Sequence, residues 1–175
     1  MAWTRNRRLR RVTLMACALA ILALPARAHA ATQTVQAKAS IVKPLILTWI
    51  QDLDLGTIAL SGTGTWSGAT VGITQNGAFS CGANLICAGA TSVARYKVAG
   101  TNNRTVLISA PNVTLVNQAD PTETLTLVTD APASLQLTNS GPQGTNFSIG
   151  GTITLSSTTA GGTYAGTFNV TVDYQ

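Results

Sequence analysis

Two stretches near the C-terminus restrict the fold more than any other feature of the chain. From Phe147 to Ser156, the residues Phe147, Ile149, Gly151, Ile153 and Leu155 alternate with Ser148, Gly150, Thr152, Thr154 and Ser156. From Tyr164 to Tyr174 the even positions are Tyr164, Gly166, Phe168, Val170, Val172 and Tyr174, and the odd positions between them are Ala, Thr, Asn, Thr and Asp. A period of two sends successive side chains to opposite faces, so each stretch predicts a strand with one face in a core and one in water. The pair is expected to form an antiparallel hairpin across Ser157–Gly162, its inner faces sealing a sandwich. The second strand also ends the chain, and its edge carries amides and carbonyls that need partners.

The same spacing recurs upstream. Ala94, Tyr96 and Val98 alternate with Arg95 and Lys97, and Leu125 and Leu127 share a face. Thr70–Thr74 and Ala78–Cys81 flank Asn76-Gly77, a pair that favours a type I′ hairpin turn. Pro44 ends one extended run and opens another at Leu45–Ile50, continued by Asp52–Ile58. Trp49 is expected in the core and Trp66 against a loop. Many short strands separated by Gly, Pro and Asn predict an all-β chain, an immunoglobulin-like antiparallel β-sandwich.

Residues 1–30 read as a secretory signal peptide: a basic start (Arg5, Arg7, Arg8, Arg10, Arg11), an apolar run from Val12 to Leu24, then Pro25 and Ala28-His29-Ala30. Leu14-Met15-Ala16-Cys17 faintly matches a lipoprotein cleavage box and Arg7-Arg8 a twin-arginine signal. The apolar run continues past Cys17, however, where a lipidated cysteine would end it. The expected organisation is thus 1–30 signal peptide, 31–42 an extended N-terminal segment, and 43–175 a single sandwich domain. The chain is expected outside the cytoplasm, in the periplasm, at the cell surface or in the medium, with no membrane span after cleavage.

Cleavage reverses the charge argument. The full chain is +5, but the region after Ala30 holds Lys38, Lys43, Arg95, Lys97 and Arg104 against Asp52, Asp54, Asp120, Glu123, Asp130 and Asp173, a net charge of −1. No basic patch remains to attract nucleic acid. The one histidine, His29, falls in the leader, which excludes Ser-His-Asp and Cys-His hydrolases and histidine-held metals from the mature chain. Asp52/Asp54 and Glu123/Asp130 are the only carboxylate pairs to nominate for glycosidase chemistry, and they sit beside turns or on outward positions. No enzyme, cofactor or metal site is expected. Cys81 and Cys87 are the two mature cysteines, and an even count in an exported chain predicts a disulfide.

Four stretches carry a resemblance: Gln36 to Leu45 (Gln-Ala-Lys-Ala-Ser-Ile-Val-Lys-Pro-Leu), Asp52 to Ile58 (Asp-Leu-Asp-Leu-Gly-Thr-Ile), Asn103 to Val106, and Gly162 to Gln175. The chain resembles a bacterial domain-of-unknown-function family of small exported β proteins, and more distantly the major subunits of Mat/Ecp-type common pili. The pilin likeness implies a sandwich lacking one strand, held by a periplasmic chaperone and completed by the N-terminal extension of another subunit. Val35, Ala37, Ala39 and Ile41 then form the candidate donor strand. Tyr164, Gly166, Phe168, Val170, Val172 and Tyr174 form the candidate acceptor edge. The competing expectation is that residues 31–42 pair within their own domain as an ordinary first strand. A structural fibre subunit is therefore the leading reading. The alternative is a self-contained binding module of unknown ligand, presenting loops such as Ser61–Gly68 or Asn139–Gly144.

Overall fold

The computed structural model describes residues 30–175, so the expected signal peptide, apart from Ala30, lies outside the described residues. Among the described residues there are thirteen strands and no helix: β1 (Ile46–Gln51), β2 (Thr57–Leu60), β3 (Ser67–Ile73), β4 (Phe79–Cys81), β5 (Leu85–Ala88), β6 (Ala94–Ala99), β7 (Thr105–Ser109), β8 (Val113–Asn117), β9 (Thr124–Asp130), β10 (Ser134–Gln136), β11 (Thr145–Ser156), β12 (Tyr164–Ala165) and β13 (Thr171–Tyr174). Pro44, Pro111, Pro121, Pro132 and Pro142 all fall between strands, as a residue without an amide hydrogen must. The compact unit runs from Ser40 to Gln175. Residues 30–39, described by themselves, form no strand and are exposed throughout.

Every ladder is antiparallel. The larger sheet follows the order β1-β6-β11-β9-β8-β12, with β3 also on β11 and β4 on β3; β10-β7-β13 makes a second sheet, and β2-β5 a ribbon. The all-β sandwich predicted by the period-two pattern is the fold observed. Ala94 and Val98 of β6, Val106 and Ile108 of β7, Leu137, and Phe147 and Ile149 of β11 form one buried cluster. Val71 of β3, Leu127 of β9, and Ile153 and Leu155 of β11 form another. Each fully buried side chain of this size contributes roughly 1.5–3 kcal/mol. One face of β11 thus supplies both clusters, and Leu53 and Phe168 pack against each of them.

The expected hairpin between the last two strands does not form. One edge of β11 is filled by β6 at Thr145–Ile149 and by β3 at Gly151–Ser156, and β9 takes Gly150–Thr152 of the other, so a hairpin partner has no uninterrupted edge to follow. Instead that stretch divides. Tyr164 and Ala165 pair with Asn117 and Val116 of β8, whereas Thr171–Tyr174 pair with Ser109–Val106 of β7, in the other sheet. Residues 166–170 cross between the sheets and belong to neither. The alternation read from the sequence survives the crossing: Tyr164, Phe168, Val170, Val172 and Tyr174 are half-buried, and the odd positions are exposed.

The hairpin of β3 and β4 is present, but its turn is not type I′. Gly77 N–H donates to the Thr74 carbonyl at 2.8 Å and Thr74 N–H to the Ala78 carbonyl at 2.9 Å, a three-residue loop in which Gly77 alone has a left-handed φ, +84°. This is a tight turn followed by a bulge, which needs one glycine rather than two positive-φ residues. Cys81 and Cys87 form the predicted disulfide. It staples β4, and through it β3, to β5 and its partner β2. Replacing both cysteines by serine is expected to cost roughly 2–2.5 kcal/mol from the short loop released. A urea-midpoint comparison, with and without reductant, checks this; a variant as stable as the disulfide-bonded protein would contradict it.

Candidate strand-accepting cleft

One flank of the sandwich is open. A cleft of about 730 Å³ lies between the stretch from Asp52 to Leu60 on one side and that from Thr159 to Phe168 on the other. Its floor is apolar, made by Ala94, Tyr96, Leu115, Leu125, Leu127, Ile153 and Leu155, so core side chains face into it. Burial pushes the Tyr96 hydroxyl above its ordinary pKa, with the nearby Asp52 charge adding to the effect. The Tyr96 ring stacks on Phe147 with centroids 5.6 Å apart, which fixes it at one end of the floor.

The walls are strand-like backbone with free pairing groups. Asp54 exchanges both backbone hydrogen bonds with Ser92, at 2.8 and 2.9 Å. Successive residues of an extended chain turn their N–H and C=O groups to opposite sides, so Leu53 and Leu55, both of which line the cleft, direct theirs away from Ser92. Asp54 Oδ1 then accepts the Gly56 N–H at 2.8 Å, and the +75° φ of Gly56 bends the chain into β2. On the opposite wall, residues 166–168 make no backbone hydrogen bond among the described residues. Asn117, buried at the foot of this wall, donates from Nδ2 to the Gly161 carbonyl and accepts the Ala119 N–H at Oδ1, at 3.1 and 2.9 Å.

Farther along, β13 is the edge of its sheet. Gln175 N–H donates to the Thr105 carbonyl, so the odd residues Thr171 and Asp173 direct their backbone groups toward β7. Val172 and Tyr174 direct theirs outward, away from β7. A proline at Thr171 would break the ladder with β7, whereas one at Val172 would remove an outward-facing amide. At this end the flank is tied shut. Tyr174 Oη donates to the Lys43 carbonyl at 2.8 Å and accepts the Thr101 N–H at 2.7 Å.

Trp49 is not in the core. It pairs with Tyr96 just as Leu47 pairs with the fully buried Val98, which places both on the core face of β1. Yet Trp49 is 58 % exposed, its indole N–H donating to Asp52 Oδ1 at 3.0 Å. An aromatic residue on a core face with nothing over it marks where cover is missing. Trp66 behaves differently. It is half-buried against the second cluster, and its backbone is paired with Ser157, so the Ser61–Gly68 loop turns its aromatic side chain inward.

The six proposed acceptor residues are thus divided: Tyr164, Gly166 and Phe168 line the cleft, whereas Val170, Val172 and Tyr174 continue beyond it into the first cluster. The proposed donor residues are unpaired, with Val35 90 % and Ile41 92 % exposed and Ala37 and Ala39 exposed as well. They form no first strand within the domain. The opposite wall, from Asp52 to Leu60, is legible in the sequence only as a continuing strand; Gly56 is the signal that the chain bends there, from the Asp54–Ser92 bridge into β2. Of the nominated carboxylates, Asp52 and Asp54 are occupied by Trp49 and Gly56, and Asp130 accepts the Gln75 N–H at 2.7 Å.

A family model described as a domain of unknown function (DUF4402) matches residues 45–174. The chain belongs to this family. The match starts next to β1 and ends with β13, so the DUF4402 region contains both walls and the floor of the cleft, while residues 31–44 precede it. No curated protein and no solved structure matches the chain.

Proposed function

We propose that this protein is a structural subunit of a pilus- or fimbria-like surface fibre that assembles by donor-strand exchange. The observation that carries the reading is the cleft: an apolar floor of core residues between two backbone walls, one without backbone hydrogen bonds at Leu53 and Leu55 and the other at residues 166–168. Burying apolar floor and satisfying backbone donors together is what an added strand does, and small ligands or catalysis need neither long backbone wall. The segment with Val35, Ala37, Ala39 and Ile41 on one side supplies a strand of suitable pattern. Its small central alanines suit a floor partly filled already by Tyr96 and Leu127. Before assembly the cleft needs a temporary occupant, for which a periplasmic chaperone is the matching partner. The Cys81–Cys87 disulfide fits the oxidising compartments outside the cytoplasm that such a route requires.

A synthetic peptide of residues 31–42 tests this directly. In a Trp66→Phe background, saturating peptide is expected to shift Trp49 emission to the blue, because Trp49 stands across from the floor residue Tyr96 and is hydrogen-bonded to the wall residue Asp52. A peptide with Val35 and Ile41 replaced by aspartate is expected to leave it unchanged. Absence of any shift or binding by the native peptide up to millimolar concentration would defeat the reading.

A further inference from the structure

The route by which the N-terminal segment enters the domain determines whose cleft it can fill. Arg104 Nη2 donates to Ser40 Oγ at 2.6 Å, and Lys43 N–H donates to Thr101 Oγ1 at 2.7 Å. The Lys43 carbonyl is held by Tyr174 Oη. Pro44 follows and keeps Lys43 extended. The chain is therefore tied at two residues to one turn, Thr101–Arg104, between β6 and β7. That turn stands at the start of β1, where Ile46 pairs with Ala99; only the Tyr96 end of the cleft reaches back beside β1, opposite Trp49, and the rest of its wall runs from Asp52 onward, past the other end of β1.

Reach then decides between the chain's own cleft and another. Val35 lies five residues before Ser40, a span of at most about 17 Å when fully extended. β1 alone, six residues long, covers about as much. Folded back from its tie points, the segment runs out alongside β1, and Ala37, Ala39 and Ile41 fall shorter still. Even released at Ser40 and pivoting at Lys43, Val35 comes level only with Gln51, since each lies eight residues from Lys43. Leu55 and Ile58 on the wall, and the floor between them and Leu155, lie beyond it.

We propose that the Thr101–Arg104 turn is an anchor for the root of the N-terminal segment, and that it commits residues 35–41 to the cleft of a second copy of this chain. The inference rests on the reading of the cleft as a strand acceptor, and adds why the subunit does not close on itself.

The exported protein, purified from the periplasm of an expression host, provides the test. A flexible Gly-Ser insertion of about ten residues between Val42 and Lys43 lengthens the reach by roughly 17 Å on average. Light scattering is expected to show oligomers growing with concentration for the native protein and a monomer for the insertion variant. The monomer should carry the blue-shifted Trp49 emission without added peptide. A second variant, Thr101→Val with Arg104→Ala, removes both side-chain ties to the turn but leaves the Tyr174 bond to Lys43 and the limit on reach; it should still form oligomers, several-fold more slowly. Oligomers of unchanged size and rate in both variants would overturn the anchor while leaving the acceptor reading standing. A native protein that stays monomeric and whose Trp49 ignores the 31–42 peptide would overturn both.

Discussion

Deleting residues 31–41 is expected to abolish self-association outright while leaving the domain folded. The two halves of this expectation have separate causes. Residues 30–39 form no strand and Val35 and Ile41 stand in solvent, so their removal takes no ladder and no core contact from the sandwich. The loss of stability should stay within about 0.5 kcal/mol, the range for exposed positions. Assembly, in contrast, loses the segment whose period-two apolar pattern makes it the proposed donor strand. Sedimentation velocity of the intact and shortened proteins at matched concentrations measures the first effect, and urea midpoints the second. A shortened protein that still forms long species would mean that some other surface drives association.

The largest effect on stability is expected at Gly150. A Cβ built there would collide with the carbonyl oxygen of Ile73 and come within 2.5 Å of the Thr74 carbonyl carbon and 2.7 Å of the Gln75 amide nitrogen. All three are backbone atoms of the β3–β4 turn, so no rotamer change relieves the clash. Gly150 pairs with Asp130, whose carboxylate accepts the Gln75 N–H, and so it sits where β11, β9 and that turn converge. Gly150→Val is expected to cost upwards of about 3 kcal/mol, a large share of the 5–15 kcal/mol typical of a domain. Chemical denaturation monitored by Trp66 would measure it. A loss under about 1 kcal/mol would show that the turn can move aside. Gly161→Ala, where a Cβ meets nothing, is the matched control.

How far the sequence revealed these features follows from the range of the interactions involved. Alternation is local, so β11, β6, β9 and the half-buried even face of the last stretch were readable directly. Pairing is not local. Nothing in Tyr164–Tyr174 says that its first residues belong to β8 and its last to β7, because the partners are chosen by which edges β6, β3 and β9 leave vacant. The β2–β5 ribbon was missed for a similar reason: Leu85–Ala88 is too short to show a period and was hidden in the loop between the cysteines. Trp49 illustrates the opposite failure. Its face was predictable and its exposure was not, since burial depends on whether another strand covers that face. The cleft is likewise set by which edges other strands leave uncovered, and that is not written in any one stretch of the sequence.

The Tyr174 hydroxyl has a mechanical consequence. It fastens the point where the chain enters the domain, at Lys43, to the last residue of β13, and by way of Thr101 to the turn after β6. Tension applied to the N-terminal segment therefore arrives at a junction of both sheets instead of at the free end of β1. The bonds of Lys43 to Tyr174 and Thr101 must then give way before the load reaches the β1 ladder, and the rate of forced unfolding, not the equilibrium stability, registers the difference.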